Sequence, residues 1–147
     1  MARARPAPPL LGPRHRVLAA GIRLLVLDID GVLTDGQIHY DAAGREFKSF
    51  HVRDGYGIVA LQKAGIAVAV ISGRGSRASR ARLRDLGIRH AVLAAGDKAA
   101  ALTGILRATR VPATAMAAVG DDLPDLPVLG RAALAVAVAD AHPGIHG

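Results

Sequence analysis

Leu24-Leu25-Val26-Leu27-Asp28-Ile29-Asp30-Gly31-Val32-Leu33-Thr34-Asp35 decides how the rest of the chain is read. An apolar run without polar alternation leads into two carboxylates two positions apart and then a glycine. Such a run suits a strand covered on both faces, as strands of a parallel sheet are. Carboxylates buried at its end are costly unless a cation compensates them. The stretch therefore predicts the first strand of a parallel α/β sheet with a cation site at its carboxyl end.

Outward from it, residues 24–29, 67–71, 90–93, 115–119 and 134–138 form comparable β-branched or aliphatic runs, which predicts one sheet of about five parallel strands with helices on both faces. Helices are predicted at 56–63, 76–86 and 98–109. Gly65 and Gly87 stand where the first two should stop, and Ser76 and Asp97 are candidate N-caps. Between the first strand and first helix, residues 37–40 and 46–50 flank Asp41-Ala42-Ala43-Gly44, which reads as a β-hairpin projecting from the sheet edge.

At 147 residues and 51% hydrophobic, the chain suits one domain with one core. Aromatic residues make up 3%, too few for a base-stacking surface. The formal charge of +7 is mostly local, because Arg3, Arg5, Arg14, Arg16 and Arg23 occur in an acid-free stretch that is also rich in Pro and Ala. Residues 1–21 are expected to form a disordered basic leader, and the core to occupy 22–147. The leader lacks the apolar centre of a secretory signal, although an Arg-rich, acid-free arm also fits an organelle transit peptide. The nearly balanced core argues against a specific nucleic-acid partner. With no Cys there is no disulfide framework and no thiolate metal site. Without a run of about 18 apolar residues, no transmembrane helix is expected. A reducing, cytoplasmic location is compatible.

Ligands of open parallel sheets bind outside the carboxyl ends of the strands. At those ends stand Asp28 and Asp30, then Ser72-Gly73-Arg74, then Asp97-Lys98 before a helix, and finally Gly120-Asp121-Asp122-Leu123-Pro124-Asp125. An oxygen-only ligand set points to Mg²⁺, which commonly shares its coordination with phosphoryl oxygens. Phosphoryl transfer to a carboxylate needs a nucleophile, a proton donor, a cation and donors for the phosphoryl oxygens. Asp28 and Asp30 have the spacing that places both side chains on one side of a strand, so one can attack while the other handles the proton. Ser72, Gly73 and Lys98 can hold phosphoryl oxygens, and Asp121 can complete the metal shell. Taken singly these features are ordinary: Asp30-Gly31 suits a tight turn, Lys98 a solvated surface, and Asp125 a helix cap. Their specificity lies in the combination.

At these residues the chain resembles the haloacid-dehalogenase phosphatase superfamily, a Rossmann-like fold whose motifs match Asp28-x-Asp30, Ser72, Lys98 and Gly120-Asp121-Asp122-x-x-Asp125. More closely, residues 30–36, His51-Val52-Arg53-Asp54-Gly55, residues 120–127 and residues 138–143 resemble the 3-deoxy-D-manno-octulosonate 8-phosphate (KDO 8-phosphate) phosphatases. The resemblance implies Mg²⁺-dependent release of phosphate from a phosphorylated eight-carbon sugar acid, in lipopolysaccharide-precursor synthesis. It implies no large cap domain, a small hairpin flap at about residues 37–50, and a homotetramer. It also implies Asp28 as nucleophile and metal ligand, and Asp30 as acid/base with its carbonyl on the metal. Asp121 and Asp122 would be further metal ligands. His51, Val52, Arg53, Asp54, Gly55, Arg74, Arg82 and Lys98 would contact substrate. Arg53 and Arg74 suit a ligand carrying a carboxylate and a phosphate, because the guanidinium fork pairs with either group. Arg82 also fits a solvated helix face with Arg77, Arg80 and Arg84. Family members continue beyond the His-Pro motif with a helix and a Gly-rich tail, which is expected to be lacking here.

Three other readings compete. A phosphatase for another sugar-acid phosphate, of the sialic-acid 9-phosphate type, would need only a retuned pocket. Gly73-Arg74-Gly75-Ser76-Arg77-Ala78 fits a dinucleotide-binding G-x-G-x-x-A pattern, but in the second β-α unit and with the other strand-end acids left idle. A non-catalytic binding module would leave the same acids unexplained.

Overall fold

A computed structural model describes residues 12–146. β1 (Leu24–Leu27), β4 (Ala67–Ile71), β5 (His90–Val92), β6 (Met116–Gly120) and β7 (Leu134–Ala137) form one parallel sheet in the order β5-β4-β1-β6-β7. The five-stranded sheet matches the expectation. The chain passes from β1 to one side of the sheet through β4 and β5, then returns to the other side through β6 and β7. The carboxyl end of β1 thus lies at the point where the winding reverses, which is where ligands of such sheets bind.

Period-two alternation along the strands divides the core into two layers. On one face Leu24, Val26, Ala69, Ile71, Met116 and Ala118 pack with Leu102 and Ile105 of α4 (Lys98–Thr109) and with Val128 and Leu129 of α5 (Leu126–Leu129). On the other face Leu27, Val68 and Val70 pack with Ile58 of α2 (Val52–Lys63) and Leu83 of α3 (Arg77–Asp85). The outer strands β5 and β7 are only partly covered, unlike the fully buried runs expected, because each has a sheet neighbour on one side alone. Leu102 is fully buried at the centre of its layer. Leu102→Ala should lower unfolding stability by about 2–5 kcal/mol, read by urea denaturation; a loss below about 1 kcal/mol would mean that the layer refills the cavity.

Helix starts follow local capping. Asp97 accepts the amides of Ala99 and Ala100 at 2.8 and 3.0 Å, and Ser76 accepts that of Ser79 at 3.0 Å, so both predicted caps are in place. The first predicted helix begins four residues early, at Val52, because His51 Nδ1 accepts the Arg53 amide at 3.1 Å and Asp54 occupies the favourable first turn.

Between β1 and α2 the chain inserts a small hairpin rather than a further domain, pairing β2 (His39–Tyr40) with β3 (Glu46–Phe47). Asp41 closes its turn by accepting the amides of Ala43 and Arg45, both at 2.9 Å. The hairpin leaves the carboxyl end of the central strand, so it projects from the edge of the sheet at which the site residues gather. Its ladder is shorter than the predicted 37–50.

Residues 1–11 of the expected leader lie outside the described residues. Residues 13–20, expected to lack structure, form α1 (Pro13–Ala20), with Pro13 suited to the first turn and no residue buried. Among the described residues no helix is long and apolar enough to cross a membrane.

Candidate active site

β1 ends at Leu27, and Asp28 follows with its amide donating to the Val119 carbonyl of β6 at 3.2 Å. Its carboxylate is almost wholly buried. From α4's first residue, Lys98 Nζ donates to Asp28 Oδ1 at 3.0 Å and to Asp125 Oδ1 at 2.6 Å. Asp125 Oδ2 accepts the amides of Asp121 and Asp122 at 3.0 and 3.3 Å. Asp125 is therefore occupied on both oxygens, bracing the loop after β6 and orienting Lys98. The Asp121 carbonyl accepts the amide of His142 at 2.7 Å, so the 138–143 segment closes behind that loop.

Carboxylate oxygens of Asp28, Asp121 and Asp125 all lie within 4.8 Å of one another. Burial pushes the Asp28 carboxyl up, and Asp125 adds to this, against the pull of Lys98. Burial also pushes Asp121 up, to about 6, reinforced by Asp28, Asp125 and Asp122. For Lys98, burial opposes the charged form, but the Asp125 hydrogen bond and the Asp28 charge outweigh it and the net direction is upward. Three clustered carboxylates thus share one ammonium, an excess of negative charge that a hard divalent cation fits.

Gly31 completes this arrangement. Its φ is +88°, and a Cβ there would lie 1.9 Å from Asp121 Oδ2, so both backbone conformation and close approach require glycine. The Thr34 hydroxyl accepts the amides of Gly31 and Gly36, each at 3.2 Å, and holds the loop.

A cavity of about 270 Å³ is lined by Asp28, Asp30, Ser72, Gly73, Arg74, Lys98, Asp121 and Asp122, together with Asp125. Ser72 follows β4, is buried, and accepts the Arg74 amide at 3.3 Å. Asp122 differs from its expected place beside the cation: it is exposed, its Oδ1 accepts the Leu123 amide at 2.7 Å, and it caps the turn at 123–125. Asp125 stands in the cluster instead, because the short 3₁₀ turn carries position 125 inward and leaves 122 at the rim. Asp30 also departs from simple strand geometry. The chain leaves the strand before Asp28, so period two does not place the two side chains; Asp28 meets Lys98, whereas Asp30 meets Lys48.

His51, Arg53 and Asp54 line a second, open cavity of about 470 Å³, to which residues 32–35 also contribute. None of the residues lining it also lines the cleft around Asp28. Val52 is exposed at the start of α2. Arg82 leaves the solvated face of α3, where Arg77, Arg80 and Arg84 remain. Its Nη2 donates to the His51 carbonyl at 3.2 Å, and its guanidinium lies 5.7 Å from the Phe50 ring centroid. Gly55 permits this, since a Cβ there would come within 2.5 Å of Arg82 Nη2.

Sequence reading missed Lys48 and Glu46. Lys48 pairs with both Asp30 and Glu46, and Glu46 accepts from Arg74 Nη2 at 2.7 Å. The Arg74 hydrogen bond, with Lys48 adding its charge, holds the Glu46 carboxyl below its usual range. A signal existed in the two-residue spacing of Glu46 and Lys48 within the predicted run 46–50, whose alternate residues 46, 48 and 50 are the partly buried ones although β3 itself ends at Phe47.

No protein-family profile matches the chain. Among curated proteins, it is 48% identical over 120 residues to the KDO 8-phosphate phosphatase KdsC of Haemophilus influenzae, covering 82% of this chain and 67% of that protein. The crystal structure of the corresponding Yersinia pestis phosphatase superposes with a TM-score of 0.86 at 44% identity, covering 88% of this chain and 70% of that one. The Moraxella catarrhalis phosphatase, solved in complex with magnesium, phosphate and KDO, superposes with a TM-score of 0.83 at 38% identity, covering 86% and 73%. Sequence likeness over most of the chain, the shared fold and the acidic cluster at the sheet's reversal point agree, and the chain belongs to the KDO 8-phosphate phosphatase family of the haloacid-dehalogenase superfamily.

Proposed function

We propose that this chain is a Mg²⁺-dependent phosphomonoesterase that hydrolyses KDO 8-phosphate to KDO and phosphate, within lipopolysaccharide-precursor synthesis. The observation that carries this reading is the buried Asp28 carboxylate, held by Lys98 and facing Asp121 in a cleft also lined by Asp30, Ser72 and Arg74. In this reading an Asp28 oxygen attacks phosphorus as the bond from phosphorus to the sugar oxygen breaks. Asp30 gives its proton to that departing oxygen. Water then attacks the aspartyl phosphate, Asp30 takes the water's proton, and phosphate leaves with Asp28 regenerated. Lys98 and the Ser72–Gly73 segment hold phosphoryl oxygens, while Arg74 receives the sugar acid's carboxylate. Arg82 supports the substrate rim by fixing the His51–Gly55 turn of α2.

Mg²⁺, held by Asp28, Asp121 and the Asp30 carbonyl, would neutralise charge on the phosphoryl group. Because Asp121 titrates at about 6, protons compete with the cation below that pH. Apparent Mg²⁺ affinity, followed by calorimetry, should rise about fivefold from pH 5 to pH 6 and less than about twofold from pH 6 to pH 8. A flat profile across this range would sink the assignment of Asp121 as a ligand. In the metal-free protein the sign is opposite for stability. The folded-state value lies above the ordinary 3.8, so the group's contribution is present below about pH 4 and is lost as pH rises through about 6.

A homotetrameric, cytoplasmic enzyme is part of the same proposal. The tetramer's support is the exposure of large apolar side chains on the flap and the start of α2, Ile38, Tyr40, Phe47, Val52 and Tyr56, with Tyr40 and Phe47 on opposite faces of the hairpin. The deciding experiment is phosphate release from KDO 8-phosphate, a sialic-acid 9-phosphate and simple sugar phosphates, with and without Mg²⁺. Selective, Mg²⁺-dependent release from the eight-carbon substrate supports the reading; release from the others alone would keep the chemistry and discard the substrate.

A further inference from the structure

The flap brings charges against the cleft residues Asp30 and Arg74 that phosphoryl transfer as described does not use. The Lys48 side chain is 4% exposed, paired with Asp30 Oδ1 and lying 3.4 Å from Glu46 Oε1. Glu46 accepts from Arg74 Nη2 at 2.7 Å, and the same nitrogen donates to the Tyr40 hydroxyl at 3.3 Å. An unbroken series, Asp30–Lys48–Glu46–Arg74, therefore joins the residue that handles the proton to the residue that receives the substrate's carboxylate. Burying an ammonium on so small a hairpin is costly without partners, and these partners are what the flap finds by folding over the cleft. Among the described residues two buried atoms of the series, Glu46 Oε1 and Arg74 Nε, have no hydrogen-bond partner, and Glu46 Oε1 is met by the Lys48 ion pair at 3.4 Å.

The arrangement answers a chemical difficulty. Asp28, Asp30, Asp121 and Asp125 line one cavity, and a cation among them attracts every carboxylate within reach. Asp125 is restrained by Lys98 and two amides. Asp30 has no such restraint from the core, and a carboxylate drawn onto the cation is poorly placed to exchange a proton with the departing oxygen. Lys48 supplies the opposing attraction. Arg74 is likewise a long, half-exposed side chain, and Glu46 restricts where its fork points.

We propose that Lys48 and Glu46 are positioning residues: Lys48 keeps the Asp30 carboxylate on the leaving-group side of the cleft, and Glu46 aims Arg74 at the carboxylate of the arriving sugar acid. This rests on the phosphatase reading above, and it predicts that the two flap residues affect different kinetic constants. Lys48→Met should lower kcat about 10–100-fold with KM within about threefold, because proton transfer is the step impaired. Mg²⁺ should bind Lys48→Met at least as tightly as the parent, since a carboxylate has been freed and a positive charge removed. Glu46→Gln should raise KM about fivefold or more with kcat within about threefold.

Steady-state kinetics on KDO 8-phosphate, calorimetric Mg²⁺ titration and thermal melting of parent and variants read all three. Lys48→Gln is a second, polar replacement, and Glu46→Gln carries the test by itself should both lysine variants fail to fold. A folded Lys48→Met with the parent's kcat overturns the role of Lys48 and leaves the phosphatase reading standing. Equal loss of kcat, KM and Mg²⁺ affinity in step with melting temperature overturns it in favour of a purely structural flap. A parent that releases no phosphate overturns both readings.

Discussion

Asp28→Asn should yield a folded protein whose kcat for phosphate release is lower by about 10⁴-fold or more. The amide keeps the shape of the carboxylate but has no oxygen able to form the acyl phosphate, and the cleft offers no second nucleophile in the same place. Folding should survive because the substitution removes a charge that burial already disfavours. The Asp28 carboxyl is shifted upward in the folded state, so ionising it costs stability as pH rises through its folded value, and asparagine carries no such cost. Lys98 keeps Asp125 as its partner at 2.6 Å. Melting of the metal-free variant at neutral pH is therefore expected to equal or exceed that of the parent. Phosphate release above about 1% of the parent's would point to a different attacking group.

Lys98→Met should act on stability and turnover together. The ammonium is the one cation bonded to both Asp28 and Asp125 among the described residues, and all three side chains are at least nine-tenths buried. Removing it leaves two buried carboxylates without a counter-charge, a change that typically costs about 3–5 kcal/mol. Urea denaturation of the metal-free protein checks this, and a loss under about 1 kcal/mol would show that the pair is better solvated than its burial implies. Mg²⁺ should restore part of the loss, because a cation on Asp28 and Asp121 offsets the same negative charge. Turnover should not recover with it: kcat/KM is expected to stay about 10²–10³-fold down, since a donor to the transferring phosphoryl oxygens is gone.

Asp28 and Lys98 are both legible in the sequence alone. Asp28 announces itself because a carboxylate at the end of an apolar run is expensive unless it is used. Lys98 is less conspicuous, and only its place between Asp97, a helix cap, and α4 marked it as a residue at the same edge of the sheet as Asp28. Asp122 and Asp125 could not be separated in the same way. Both follow β6 within five residues, and which one turns inward depends on a 3₁₀ turn whose capping box uses both side chains. The hairpin was visible from Asp41-Ala42-Ala43-Gly44, but the extent of its ladder was not, because only residues 39–40 and 46–47 pair. Arg82 was ambiguous for a related reason: the same helical spacing serves a solvated face or a contact with α2, and the missing Cβ of Gly55 decides between them.

By itself the sequence determined the parallel α/β sheet and the edge at which its polar motifs gather, since these follow from apolar periodicity and from motifs placed immediately after strands, and its resemblance pointed to the family and to Asp28 as the candidate nucleophile. Tertiary structure alone decided which acids share the cluster, that Arg82 packs against α2, and that Lys48 and Glu46 pair with the cleft residues Asp30 and Arg74. Those outcomes depend on loops folding back over the sheet. There the partner of a charge is chosen by burial and distance between segments far apart in the chain, and local pattern carries no record of either.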